Sequence, residues 1–119
     1  MLDIQNKATH LLITLKGDVS LPVLKESINE VMDLNATLDV NVIWDFSNCI
    51  LLIGQMEFYE IVDLIQQKRP AHARRSKMAI VASSGITQAL ISFWKNVAES
   101  LPYSIGIFMA VEEAEKWLE

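Results

Sequence analysis

The chain has a single cysteine, Cys49, so no disulfide can form within it and a reducing compartment is the natural expectation. Three prolines and four glycines are thinly spread over 119 residues, which leaves no linker, no low-complexity stretch and room only for short connections. No fully apolar run approaches the ~20 residues that cross a bilayer. Met1-Leu2-Asp3-Ile4 turns polar at once, without the basic and apolar regions of a secretory signal, so the expected location is cytoplasmic. Cations are the minority: ten Lys and Arg face fifteen Asp and Glu, for a net charge of −5. That balance argues against nucleic acid as a partner. There is no Gly-x-Gly-x-x-Gly, no P-loop lysine and no spacing of metal ligands, so neither cofactor nor metal is expected.

What is present is a core-forming composition, 51% hydrophobic and 21% charged, in a chain of one-domain length (residues 1–119). Its pattern is a rhythm. Leu2–Asn6 and His10–Leu15 read as the strands of a hairpin joined by Asn6-Lys7-Ala8-Thr9, with Gly17-Asp18 ending the second. His10, opening that strand, reads as a surface or edge residue. Ser20 is placed as an N-cap and Pro22 in the first turn of a helix that fades near Asn35; Leu24, Ile28, Val31 and Met32 form its apolar stripe. Val40–Phe46 is apolar enough for a strand covered on both faces. Ser47–Ile53 reads as an apolar loop. A helix follows from about Gln55 to Lys68, with Phe58, Ile61, Val62 and Ile65 inward, and Pro70 stops it. Lys77–Ser83 is the next strand. Ser83-Ser84-Gly85 then opens a helix to about Ser100, whose wide apolar face includes Ile86, Leu90, Ile91 and Trp94. Ser104–Met109 and a short helix through Trp117 and Leu118 close the chain.

Strands alternating with helices imply an α/β fold: a mixed sheet with an N-terminal hairpin, followed by right-handed β-α units with four helices. The order resembles the SpoIIAA-like fold of STAS domains and anti-sigma-factor antagonists. Val42-Ile43-Trp44-Asp45-Phe46 resembles the strand of small bacterial members that ends in an aspartate. Met78-Ala79-Ile80-Val81-Ala82-Ser83 resembles their following strand, and Val111–Leu118 their closing helix. The resemblance implies a non-catalytic, bacterial interaction module. It also locates a departure. Members switched by a kinase carry an Asp-Ser pair just before the helix after the central strand, and Ile50-Leu51-Leu52-Ile53-Gly54-Gln55 has no hydroxyl there. Kinase switching of that kind is not expected.

Five places invite a functional reading, each beside a plainer one. Ser83-Ser84-Gly85 joins a strand end to a helix start, where free N–H groups attract an oxygen-rich ligand; Ser84 as a simple cap is the plainer reading. Asp45, with Asp18 nearby, could hold a cation or serve acid–base chemistry, or each could tie down its own loop. Cys49 and His72 could pair as thiolate and imidazole, but a right-handed crossover sets them at opposite sheet edges, and the pair is rejected. Lys68, Arg69, Arg74, Arg75 and Lys77 form a basic patch that offers an anionic membrane at most weak contact, or is a solvated loop. Finally, Leu51, Leu52, Met56 and Tyr59 are apolar where loops are normally polar, and suit a subunit contact or ordinary core.

The expected function is a non-catalytic binding module, not an enzyme. Its partner is another protein, a second copy of the chain included. The alternative is a carrier of a small apolar or lipid-like ligand at the carboxyl edge of the sheet, touching Asp45, Leu51, Leu52, Ser83, Ser84 and Gly85.

Overall fold

The computed structural model describes residues 2–38, 40–69 and 75–119, with side chains throughout except at 35–38. Among them, β1 (Leu2–Asn6) and β2 (His10–Ser20) form the antiparallel hairpin, Leu2 opposite Leu15 and Asn6 opposite Leu11. The turn needs a residue at positive φ. Ala8 takes it at 70°, held by the Asn6 carbonyl Oδ1, which accepts from the Ala8 N–H at 3.0 Å. There follow α1 (Leu21–Leu38), β3 (Asn41–Leu52), a 3-10 turn (Gln55–Glu57), α2 (Phe58–Lys68), β4 (Ser76–Val81), α3 (Gly85–Val97), β5 (Tyr103–Phe108) and α4 (Val111–Leu118). The sheet order is β1-β2-β3-β4-β5, parallel from β2 onward. The α/β architecture, the hairpin and the four helices of the described residues therefore follow the sequence rhythm.

Two expectations are corrected, and they are one event. β2 does not end at Gly17-Asp18, and Ser47–Ile53 is not a loop: β3 continues to Leu52 because Lys16–Ser20 pairs with Asn48–Leu52. Neither half reads as a strand alone. Between the pairs Thr14↔Asp45 and Lys16↔Asn48, Leu15 stands against both Phe46 and Ser47. This β-bulge adds one residue to β3 and shifts its alternation. Before it, Val42, Trp44 and Phe46 face the main core; after it, Cys49, Leu51 and Ile53 do. Gly17, read as a stop, is a kink with φ at 81°, a conformation that glycine adopts without a Cβ penalty.

The main core lies between the sheet and α1, α2 and α3, with Ile13, Trp44, Phe58, Ile61, Ile91 and Trp94 among its buried members. The opposite face carries a smaller cluster of Ile43, Ala79, Val81 and Ala114, closed by Phe108 and Trp117 of β5 and α4. An eight-residue helix is only about 12 Å long. Farther along β3, Ile50 and Leu52 of that same face stay in solvent.

Two smaller expectations also change. His10 is buried, not at the surface, because β2 is flanked by β1 and β3 and α4 returns over its start; His10 Nε2 stands 3.3 Å from Glu115 Oε2. Ile86, expected in the apolar stripe of α3, is 79% exposed in the first turn, before that helix reaches the core. His72 and Arg74 lie outside the described residues, so neither the Cys49–His72 reading nor the full basic patch is seen.

Candidate functional site

Asp45, Cys49, Leu51 and Leu52 lie along β3, and Met56 and Tyr59 follow just after its end. Pairing between β3 and β4 ends at Asp45↔Val81, yet β3 runs on to Leu52. From Ser47 onward the side of β3 that had faced β4 has no strand partner among the described residues, while the other side stays paired with β2. An unpartnered strand side presents N–H and C=O groups ready for another strand.

Asp45 closes the shared part. It is buried, and its Oδ1 accepts from the Ser47 N–H at 3.0 Å and from the Ser47 hydroxyl at 2.6 Å. The carboxylate thus holds the bulge, the role that the plainer reading gave it. Asp18 does not join it: Asp18 pairs with Ile50 while Asp45 pairs with Thr14, four residues back along β2 and so about 13 Å away along the ribbon. Cys49 is half-buried, and its Sγ donates to the Phe46 carbonyl at 3.4 Å. Burial first, and then the nearby charge of Asp45, pushes the thiol up to about 11, so at neutral pH it is a protonated thiol and a poor nucleophile. Among the described residues no three His, Cys, Asp or Glu side chains converge on a metal position.

The apolar residues divide by face. Leu51 turns in and packs against the main core. Leu52 (54% exposed) and Ile50 (61%) turn out. Met56 on the 3-10 turn and Tyr59 at the start of α2 are exposed as well. From Ser47 to Ile53 the chain carries no charge and no proline, the devices by which sheet edges are normally blunted. Within the hydroxyl-free stretch before α2, the Gly54 N–H donates to Glu57 Oε1 at 2.8 Å.

Ser84 acts as the N-cap of α3, its Oγ accepting from the Thr87 N–H at 3.1 Å. Gln88 Nε2 donates to the Ala82 carbonyl at 2.6 Å just before it. Ser83, Ser84 and Gly85 are exposed. Asp45 shares a sheet face with the exposed Leu52, whereas Leu51 lies on the opposite one. The residues expected around a carboxyl-edge ligand thus stand on two faces of the sheet.

The described members of the basic patch are engaged within the chain. Lys68 Nζ meets Asp33 Oδ1 at 2.8 Å, and the Arg69 guanidinium lies over the Tyr103 ring at 5.2 Å. Arg75 Nε donates to Ser104 Oγ at 3.1 Å. Lys77 Nζ donates to the Trp117 carbonyl at 3.0 Å and sits 5.2 Å from that residue's ring centre. These four cations are held by partners on α1, β5 and α4.

One feature had no signal in the sequence. A cavity of about 50 Å³ lies between the sheet and the three-helix layer, and Trp94 is one of its walls. The wide apolar face of α3 predicts burial there, but not a gap.

No protein-family model matches the chain, and no curated protein matches it in sequence. In three dimensions it is similar to an uncharacterised protein of the DUF3478 family with a SpoIIAA-like fold from Shewanella loihica PV-4. The TM-score is 0.60 at 13% identity, covering 100% of this chain and 93% of that one. It is similar to the anti-sigma factor antagonist SpoIIAA in its unphosphorylated form, with TM-score 0.61, 11% identity, and 98% and 94% of the two chains covered. It is likewise similar to the Bacillus cell fate determinant SpoIIAA in the phosphorylated form, with TM-score 0.59, 11% identity and both chains covered at 100%. At these identities the likeness is one of fold, and the fold is SpoIIAA-like.

Proposed function

We propose that this chain is a non-catalytic protein-interaction module that pairs through the outer half of β3, and that its partner is a second copy of itself. The observation that carries this reading is the continuation of β3 for a further stretch beyond its last pairing with β4. Two such sides related by a twofold axis meet as antiparallel strands, and an isologous contact of this kind closes on itself. Neutral side chains suit the contact: Asn48, Ile50 and Leu52 bring no like charges together across the axis, where like charges directly opposite would destabilise it. Met56 and Tyr59 extend the apolar strip. A specific interface takes ~800 Å² from each partner, about an eighth of this chain's 6321 Å².

The shared fold with SpoIIAA, described as an anti-sigma factor antagonist, supports a binding role. Kinase switching is not part of this proposal. The stretch Ile50–Gln55 lacks a hydroxyl, and the Ser47 hydroxyl is already held by Asp45. A phosphate on Ser47 in cells, coupled to altered binding, would contradict that point.

Sedimentation of the purified chain across micromolar concentrations tests the pairing. A dimer is expected, and Leu52→Asp should shift it to monomer without loss of stability, since Leu52 is largely exposed. A monomer throughout, or a dimer indifferent to Leu52→Asp, contradicts the proposal.

A further inference from the structure

The sheet has two outer strands, β1 and β5, and they differ in chemistry. β1 carries Asp3, a charged side chain of the kind that blunts a sheet edge. β5 has neither charge nor proline. Two backbone bonds fix where its polar groups point. The Pro102 carbonyl accepts from the Ser76 N–H at 3.2 Å, and the Phe108 carbonyl accepts from the Ala82 N–H at 2.9 Å. Alternate residues of a parallel ladder point to the same side. Ser104 and Gly106 therefore also turn their N–H and C=O groups to β4, and Ile105 and Ile107 turn theirs away. These outward groups have no backbone partner among the described residues. The strip beside them is apolar on both faces. Ile105 and Ile107 pack against the main core. On the other face Gly106 offers no side chain, and the Phe108 and Trp117 rings stand 2.8 and 3.3 Å from where its Cβ would be. Arg75, exposed, marks the amino end, its Nε donating to Ser104 Oγ at 3.1 Å.

We propose that the free edge of β5 binds an extended, apolar segment of a partner protein as an added antiparallel strand, with an acidic residue of that segment beside Arg75. Size selects a segment over a second copy of the chain. Six residues span about 20 Å and a sheet layer is about 10 Å deep, which gives a strip of roughly 200 Å². Two whole chains need ~800 Å² from each partner. Main-chain bonds to Ile105 and Ile107 supply the affinity, and the apolar walls select the side chains that alternate along the segment. Antiparallel pairing is the more stable ladder. It sets the segment's carboxyl end against the amino end of β5, so the acidic residue stands at that end. β4 separates this edge from β3, and the proposal does not depend on the pairing proposed above.

The test uses ¹⁵N-labelled full chain, with and without Leu52→Asp, and the synthetic peptide acetyl-Thr-Val-Phe-Val-Thr-Asp-amide. The expected result is a saturable downfield shift and slower exchange of the Ile105 and Ile107 amides, alike in both chains. Two further peptides are N-methylated at the odd or at the even positions. A strand has one set of amides facing its neighbour, so one form should still bind and the other should bind roughly tenfold more weakly or worse. Arg75→Ala should weaken the parent peptide about two- to fivefold, the scale of an exposed ion pair. The proposal is overturned if the two amides show no saturable shift, if both methylated forms bind equally, or if Arg75→Ala leaves the affinity unchanged. Shifts at residues 48–52 in place of Ile105 and Ile107 overturn it as well. So does protection of these two amides that grows with protein concentration in the absence of peptide, which would give the edge to a second copy.

Discussion

The Asp45 carboxylate takes both the N–H and the hydroxyl of Ser47, at 3.0 and 2.6 Å, across the bulge where β3 parts from β4. This pair determines how the outer half of β3 is presented. The bulge turns Leu51 inward and Ile50 and Leu52 outward, and the carboxylate fixes the bulge. Hydrogen bonds to a charged acceptor contribute ~1.5–3 kcal/mol each when buried. Asp45→Ala should therefore lower stability by at least about 1.5 kcal/mol in urea unfolding. Ser47→Ala, which keeps the backbone bond, should cost less.

Gly106 reports on the seat of α4. A Cβ built there lies 2.8 Å from Phe108 Cε2 and 3.3 Å from Trp117 Cε2. The two rings are themselves packed, with centroids 5.4 Å apart. Gly106→Ala should cost ~1–3 kcal/mol, the usual range for overpacking, and should shift Trp117 fluorescence. Adding Phe108→Leu should recover part of the loss. Unchanged stability in Gly106→Ala would mean that α4 is not seated on the sheet as described.

Cys49 gives a pH-dependent test. Its thiol is raised in the folded chain from 9.0 to about 11, chiefly by burial and then by the charge of Asp45. Below pH 9 the thiol is protonated in both states and contributes no slope. Between pH 9 and 11 the unfolded chain loses its proton first, so stability falls as pH rises. Cys49→Ser should flatten that limb. Alkylation of Cys49 at pH 8 should be slow in the native protein and fast in urea. Rapid native alkylation would contradict the environment described for the thiol.

Much of the fold is legible from residues alone. The apolar stripes of α1 and α2 and the compact strands around Val42 and Ile80 carry their own periodicity, and the SpoIIAA-like order follows from their succession. The outer half of the β2–β3 ribbon is not legible. Gly17-Asp18 is a turn signal by composition, and Ser47–Ile53 has no clean alternation because the bulge shifts it by one residue. Each becomes a strand only by pairing with the other, a tertiary effect that no single window contains. His10 reads as a surface residue for a related reason: part of its cover comes from α4, more than a hundred residues later in the chain. Leu51, Leu52, Met56 and Tyr59 stand out in the sequence as apolar, but that Leu51 faces inward and Leu52 outward depends on the bulge. The cavity beside Trp94 has no counterpart in sequence, since Trp at helical spacing reads as core.

The most direct test of the account is backbone hydrogen exchange across Asn48–Leu52, followed residue by residue by NMR at a dilute and a concentrated sample. If the outer side of β3 pairs with a second copy, the alternate amides of that side are protected in the concentrated sample, exchange quickly on dilution, and lose their protection in Leu52→Asp. If these amides exchange equally fast at both concentrations, the side stays open to solvent and the proposed pairing is wrong.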